Sequence, residues 1–186
     1  PLYAPDGKWI AFTSHGGKPE PIGLEDVWIV PAGGGEPKML AETPDRSASL
    51  LAWSRDGKTI YLFEPMHTTS HVMALPVDGG PARQVSVGEG VVRNVDLCPS
   101  AGRLSFTYEK TEEPAEVYIS SVDSFVMKRL TEVSQNVPRP TMGRTEIVQW
   151  KSTGGFEIEG LMTYPVDYEP GKTYPLLLNV HGGPAG

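Results

Sequence analysis

The sequence places His181-Gly182-Gly183-Pro184 directly after Tyr174-Pro175-Leu176-Leu177-Leu178-Asn179-Val180. Positions 176–180 are nearly all apolar and do not alternate, which suits a strand buried on both faces of a covered α/β sheet. A glycine pair at the carboxyl end of such a strand lets the backbone turn sharply and present N–H groups. N–H groups at that edge can hold the negative oxygen that develops in acyl transfer. The alternative for the motif is a plain strand-exit turn.

Other candidate chemistry is sparse. A second His-Gly-Gly, His15-Gly16-Gly17, follows the apolar stretch Trp9 to Thr13 and reads as an exposed loop. No Gly-x-Ser-x-Gly occurs, so the nucleophile elbow and any assignable triad are missing from the chain. Ser47, Ser49 and Ser54 lie beside strands or turns with no base suggested nearby, and structural roles are expected for them. No His-Glu-x-x-His, Cys-x-x-Cys or P-loop appears, so neither a metal nor a cofactor is expected. Trp9, Trp28, Trp53 and Trp150 fall at strand positions and are expected in the core, as is Cys98, the only cysteine.

The 186 residues carry 16 basic and 23 acidic side chains, a net charge of −7, with no Lys/Arg cluster, so no nucleic-acid partner is expected. The longest apolar run, 176–180, is far short of a membrane span. With 21 Gly and 18 Pro, the chain favours turns and short strands over long helices. It opens on Pro1 and stops just after the glycine motif; both ends read as cuts, which leaves the compartment and oligomeric state open.

The elements that would position the motif begin with a repeat. Pro5-Asp6-Gly7-Lys8-Trp9-Ile10-Ala11-Phe12 matches Arg55-Asp56-Gly57-Lys58-Thr59-Ile60-Tyr61-Leu62, and Ser100-Ala101-Gly102-Arg103-Leu104-Ser105-Phe106 is a weaker third copy. Aligned on Asp6, Asp56 and Ala101, the copies are 50 and 45 residues apart, within the range of propeller blades. The first two copies have an Asp-Gly turn, since Gly tolerates positive φ and Asp bonds its own backbone, and a strand follows in every copy. Further strands are expected at 26–30, 71–75 and 116–120, at 38–40, 83–85 and 128–130, and innermost at 49–53 and 91–97. About four strands per unit is a blade; a sandwich of generic hairpins is the alternative. Three blades do not close a ring, so further blades are expected ahead of Pro1.

The repeat ends near Leu130, and Pro138, Pro140 and Gly143 mark a connector. Strands are then expected over 146–150 and 156–164, paired through the turn at Gly154-Gly155. The organisation read from the sequence is therefore C-terminal propeller blades over 1–135, a connector over 136–145, and a distinct unit over 146–186. The fold class is mainly β: a partial β-propeller of about three four-stranded blades, followed by the first strands of an α/β-hydrolase domain.

The Asp-Gly-Lys blades, the hairpin lead, the Tyr-Pro-Leu-Leu-Leu stretch and the His-Gly-Gly-Pro loop together resemble the propeller-to-catalytic junction of the prolyl oligopeptidase (S9) family of serine peptidases, in its acylaminoacyl-peptidase and dipeptidyl-peptidase branches. The resemblance spans essentially the whole chain, weakly over 1–135 and more strongly over 145–186. It implies hydrolysis of short peptides by a Ser-Asp-His triad located beyond this chain, with the propeller limiting access. It also implies an oxyanion-hole backbone N–H from Gly183, with Gly182 second, and a loop-shaping role for His181. The chain alone would then be inactive and only marginally stable. Some dipeptidyl peptidases bind the substrate amino terminus with two glutamates, but Glu112-Glu113 reads as a solvated hairpin tip and is not assigned that role. A non-enzymatic binding propeller explains the blades but not the ending, and an esterase-type α/β-hydrolase explains the ending but not the blades. Substrate preference and exo- or endopeptidase character are not legible.

Overall fold

The computed structural model describes residues 1–17, 24–136, 138, 140–180 and 182. The chain forms two compact units, Pro1–Asn136 and Val137–Gly186. Among the described residues there are fourteen strands, one short 3₁₀ turn and no α-helix.

In the first unit, β1 (Leu2–Tyr3), β2 (Trp9–Ser14), β3 (Asp26–Pro31) and β4 (Lys38–Met39) form an antiparallel meander in sequence order. The meander repeats as β5 (Ser49–Trp53), β6 (Thr59–Met66), β7 (Thr69–Pro76) and β8 (Arg83–Gln84). It repeats again as β9 (Val91–Cys98), β10 (Arg103–Lys110), β11 (Glu113–Ser121) and β12 (Lys128–Arg129). The second and third meanders touch through a single parallel bridge, Ser70 to Val91, beside which the Ser70 hydroxyl donates to the Val92 carbonyl at 2.6 Å. One bridge does not merge two sheets, so the unit is three four-stranded propeller blades, in agreement with the fold class expected from the repeats.

The turn chemistry that marks the repeat is visible at each blade. The amide of Gly7 donates to the Ala4 carbonyl and that of Gly57 to Ser54, with φ of 69° and 70° at the two glycines. Such angles are costly for any residue with a Cβ. Asp6 and Asp56 each accept the backbone N–H two residues on. The third copy differs from the sequence alignment. Tyr3 faces Ile10, Trp53 faces Ile60 and Leu97 faces Leu104, so the structural equivalent of Asp6 and Asp56 is Ser100, not Ala101. The offset arises because the left-handed residue of this turn is Gly102, one position later than in the other two. The innermost strand β1 has too few residues to show any pattern and was not legible in the sequence.

Strand alternation builds the core. In the middle blade Ile60, Leu62, Met73 and Leu75 face the first blade, while Tyr61, Val72 and Ala74 face the third. Both faces of β6 and β7 are therefore buried, which is why they read as almost continuous apolar runs. The indole of Trp53 fills the first interface and donates to the Leu2 carbonyl at 3.0 Å. The other tryptophans do not fill the core as expected: Trp28 is half-buried, and Trp9 and Trp150 are 38% and 47% exposed. Trp28 lies out of phase with the buried Val27 and Ile29 of β3, whereas Trp9 shares the phase of buried Ala11 but stands at the first position of β2. Cys98 is likewise exposed, because alternation along β9 turns Leu97 inward and its neighbour outward.

The end of the first unit is pinned by one carboxylate. Buried Glu116 on β11 accepts from the Thr131 hydroxyl, the Val133 amide, and both the amide and hydroxyl of Ser134, and it pairs with Arg129 at 3.0 Å. These bonds hold the 3₁₀ turn Val133–Asn136 against the last blade.

In the second unit, β13 (Thr145–Lys151) and β14 (Glu157–Thr163) pair antiparallel from Thr145 opposite Thr163 to Lys151 opposite Glu157. The connecting turn carries Gly155 at φ 82°.

Candidate functional site

The glycine motif is approached from this hairpin. The Tyr164 amide donates to the Arg144 carbonyl at 2.9 Å, extending the ladder one step past β14. The Tyr164 ring lies 4.5 Å from that of Tyr168, tilted 52° to it, and Tyr168 in turn lies 5.4 Å from Tyr174. The Arg144 guanidinium sits 4.6 Å above the Tyr164 ring and pairs with Glu146 at 3.0 Å. The Tyr164 hydroxyl donates to the same Glu146 carboxylate, which raises the pKa of the phenol. The Tyr174 hydroxyl accepts the Glu169 amide at 3.0 Å. This tyrosine ladder sets where the chain enters the segment that leads to the motif. Sequence reasoning missed it; the spacing of Tyr164, Tyr168 and Tyr174 is its only trace.

Beyond Tyr174 the structure departs from expectation. Residues 174–180 form no strand, and Leu176, Leu177, Leu178 and Val180 are 73–92% exposed. A strand that is to be covered on both faces needs neighbours to pair with and layers to bury it. Among the described residues nothing pairs with this segment. Gly182 is exposed, and a Cβ built on it would meet nothing within 4 Å. His181 and Gly183 lie outside the described residues.

The other sequence candidates have structural employment. Ser54 holds its turn, donating to Asp56 at 2.7 Å and accepting from the Thr59 amide. The Ser47 amide donates to Glu64, and Ser49 is exposed on β5. Glu112 and Glu113 are exposed where β10 turns into β11, with Glu113 3.7 Å from Lys110. His15 lies 2.5 Å from the Leu24 carbonyl, and a side chain at Gly16 would collide with the Trp28 indole. The structure also joins a serine to a histidine that the sequence did not flag. Ser86 Oγ is 3.2 Å from His71 Nδ1, but Ser86 is fully buried and accepts the Val72 amide. The other ring nitrogen of His71 meets Thr69, not a carboxylate. Burial lowers the His71 pKa. A pair sealed from solvent in this way cannot attack a substrate. Among the described residues no group of His, Cys, Asp and Glu is placed to hold a metal ion. Among the described residues no helix is long and apolar enough to cross a membrane.

Three four-stranded blades in sequence define the first unit as a propeller segment of the kind found in S9 peptidases and in TolB. No family model matches the chain. Over its whole length the chain is 26% identical to dipeptidyl-peptidase 5 of Trichophyton schoenleinii, of which it spans 26%. Its fold is similar to that of an acylaminoacyl peptidase solved in complex with Z-Gly-Gly-Phe-chloromethyl ketone, with a TM-score of 0.64 and 19% identity over 91% of this chain and 25% of that one. TolB from Acinetobacter baumannii is similar with a TM-score of 0.57 and 13% identity, over 88% of this chain and 40% of that one. The similarity to dipeptidyl-peptidase 5 runs along the full length of the chain and is consistent with the prolyl oligopeptidase family of serine peptidases. It spans about a quarter of the length of the curated relatives it matches.

Proposed function

We propose that this chain is part of a serine-type peptidase that hydrolyses short peptides, acting as an acylaminoacyl- or dipeptidyl-peptidase. The observation that carries the reading is the alignment of the entire chain, blades and glycine motif together, with dipeptidyl-peptidase 5. Residues 1–135 serve as propeller blades, 136–145 as a connector, and 146–186 as the opening strands and oxyanion loop of an α/β-hydrolase catalytic domain. In this reading a serine outside the chain attacks the substrate carbonyl and a histidine moves its proton. The backbone N–H of Gly183, with Gly182 second, stabilises the tetrahedral oxyanion, and His181 shapes the loop. A loop that offers only N–H donors has no covalent route, so the 186 residues alone hydrolyse nothing.

The test compares the isolated chain with the complete gene product that contains it. A serine-directed fluorophosphonate is expected to label the complete product and leave the isolated chain unlabelled. In the complete product Gly183→Pro removes an N–H donor and is expected to lower kcat by about 10²–10³-fold with KM little changed. Unchanged turnover would remove the oxyanion assignment. Failure of the complete product to label or to cleave aminoacyl and acylaminoacyl substrates would leave the propeller as a binding scaffold, a reading that the likeness to TolB favours.

A further inference from the structure

The two interfaces within the first unit are built on the same plan and end differently. Between the first and second blades the Trp53 indole fills the gap. Its structural equivalent in the third blade is Leu97, a shorter side chain. Between the second and third blades a cleft of about 710 Å³ consequently remains open, walled by the turn 54–56 on one side and the turn 99–102 on the other. That volume lies in the range of small-molecule sites.

The lining is polar and specific. Tyr61 lies on the floor, 7% exposed, and its hydroxyl has no hydrogen-bond partner among the described residues. Its equivalent at the other interface is Ala11. Arg55 and Arg83 line the same cleft without an ion pair among the described residues, whereas the Asp56 carboxylate is already engaged by Ser54 and Lys58 within its own turn. Asp123 stands on the third-blade side. Burial raises the Tyr61 pKa, so the phenol remains a proton donor at neutral pH. The Tyr61 hydroxyl is accessible from the cleft and can donate to a bound group. Two guanidiniums beside an unused hydroxyl donor suit a planar anion with two oxygens.

We propose that the cleft between the second and third blades binds a carboxylate, with Arg83 and the Tyr61 hydroxyl taking its oxygens and Arg55 adding charge at the rim. The carboxylate can belong to the C-terminus of a short peptide, whose amino group Asp123 would face, or to a free organic acid. The site is independent of the peptidase reading, because none of its residues belongs to the oxyanion loop.

Calorimetric titration of the chain with trialanine, its C-terminal amide and succinate tests the proposal. Saturable binding of trialanine or of succinate is expected, and whichever acid binds identifies the source. The amide is expected to bind at least about tenfold more weakly than the acid, the order set by one hydrogen bond to a charged group. Tyr61→Phe keeps the ring and Arg83→Gln keeps most of the stem; each is expected to weaken binding by a similar factor. Cys98 offers a readout that needs no variant, because it is exposed and its Sγ lies 3.4 Å from the hydroxyl of Ser100 in the cleft wall. Bound ligand should slow its alkylation by iodoacetamide. The proposal is overturned if neither acid binds, if binding survives both substitutions, or if saturating ligand leaves the alkylation rate unchanged.

Discussion

Phe106→Ala tests whether the third blade is packed on the second as a propeller requires. Phe106 is 2% exposed, and its ring stacks 5.7 Å from Phe125 and 6.1 Å from Tyr118, with Val92, Leu104 and Tyr108 in the same cluster. Truncating a fully buried Phe removes its transfer free energy and leaves a cavity, together about 3–5 kcal/mol. The two ring pairs alone account for about 0.5–1.5 kcal/mol each, so Phe106→Leu, which abolishes the ring pairs and keeps much of the volume, should lose about 1–3 kcal/mol. For a urea dependence of about 2 kcal/mol per molar, the Ala variant's midpoint should fall by about 1.5–2.5 M. Against the ~5–15 kcal/mol stability of ordinary domains, such a loss can leave the variant unfolded in buffer, which would itself agree. Far-ultraviolet circular dichroism through a urea titration provides the measurement. A midpoint within about 0.3 M of the parent would mean that this cluster does not join the blades, and the propeller reading of the third meander would fail.

Three other outcomes are expected. Hydrogen bonds from Ser134 and Thr131 hold the Glu116 pKa down at about 2, from an ordinary 4.5. Between those values the unfolded chain binds more protons than the folded one, so stability rises with pH there and is lost as pH falls toward 2. Thermal melts across that window should show the slope in the parent and a shallower one in Glu116→Gln. A methyl at Gly143 would overlap the Tyr164 carbonyl oxygen, so Gly143→Ala should open the end of the hairpin and speed hydrogen exchange at the Tyr164 amide, where a compatible site would gain ~0.4–1 kcal/mol. Fully buried Glu64 accepts from the Thr43 hydroxyl and the Ser47 amide through one oxygen, while its other oxygen has no partner. Glu64→Ala should therefore cost about 1–3 kcal/mol by stranding those donors, and Glu64→Gln, which keeps the acceptor, should cost less in the same denaturation assay.

What the sequence revealed follows how local each determinant is. Asp6-Gly7 and Asp56-Gly57 specify a turn within four residues, so β2 and β6 were legible, and recurrence at the same place in each repeat carried β3 and β7. In the third copy Ser100-Ala101-Gly102 shifts its glycine by one position, and only the pairing of Leu97 with Leu104 shows where the register truly lies. Trp53 and Trp150 are the same residue type on strands of similar length, yet one is buried and the other 47% exposed. Their fates depend on what faces each strand, and that is not written in the strand itself.

The stretch 176–180 makes the same point from the other side. Its composition states what the segment requires, a sheet edge to pair with and apolar layers above and below, and composition cannot supply those partners. Hydrophobicity is a demand for neighbours, so Leu177 at 92% exposure is a strand sequence without a strand around it. The blades satisfy the corresponding demand internally: Ile60 and Tyr61, adjacent in sequence, each find a cluster on opposite faces of one sheet. The expectation that held is the one whose partners are encoded within one repeat length, and the one that failed depends on partners that the described residues do not contain. The oxyanion assignment at Gly182 and Gly183 depends on that same strand. Gly183→Pro in the complete gene product tests both at once, because a glycine pair can present its N–H groups to a substrate only when the strand before it is held in place.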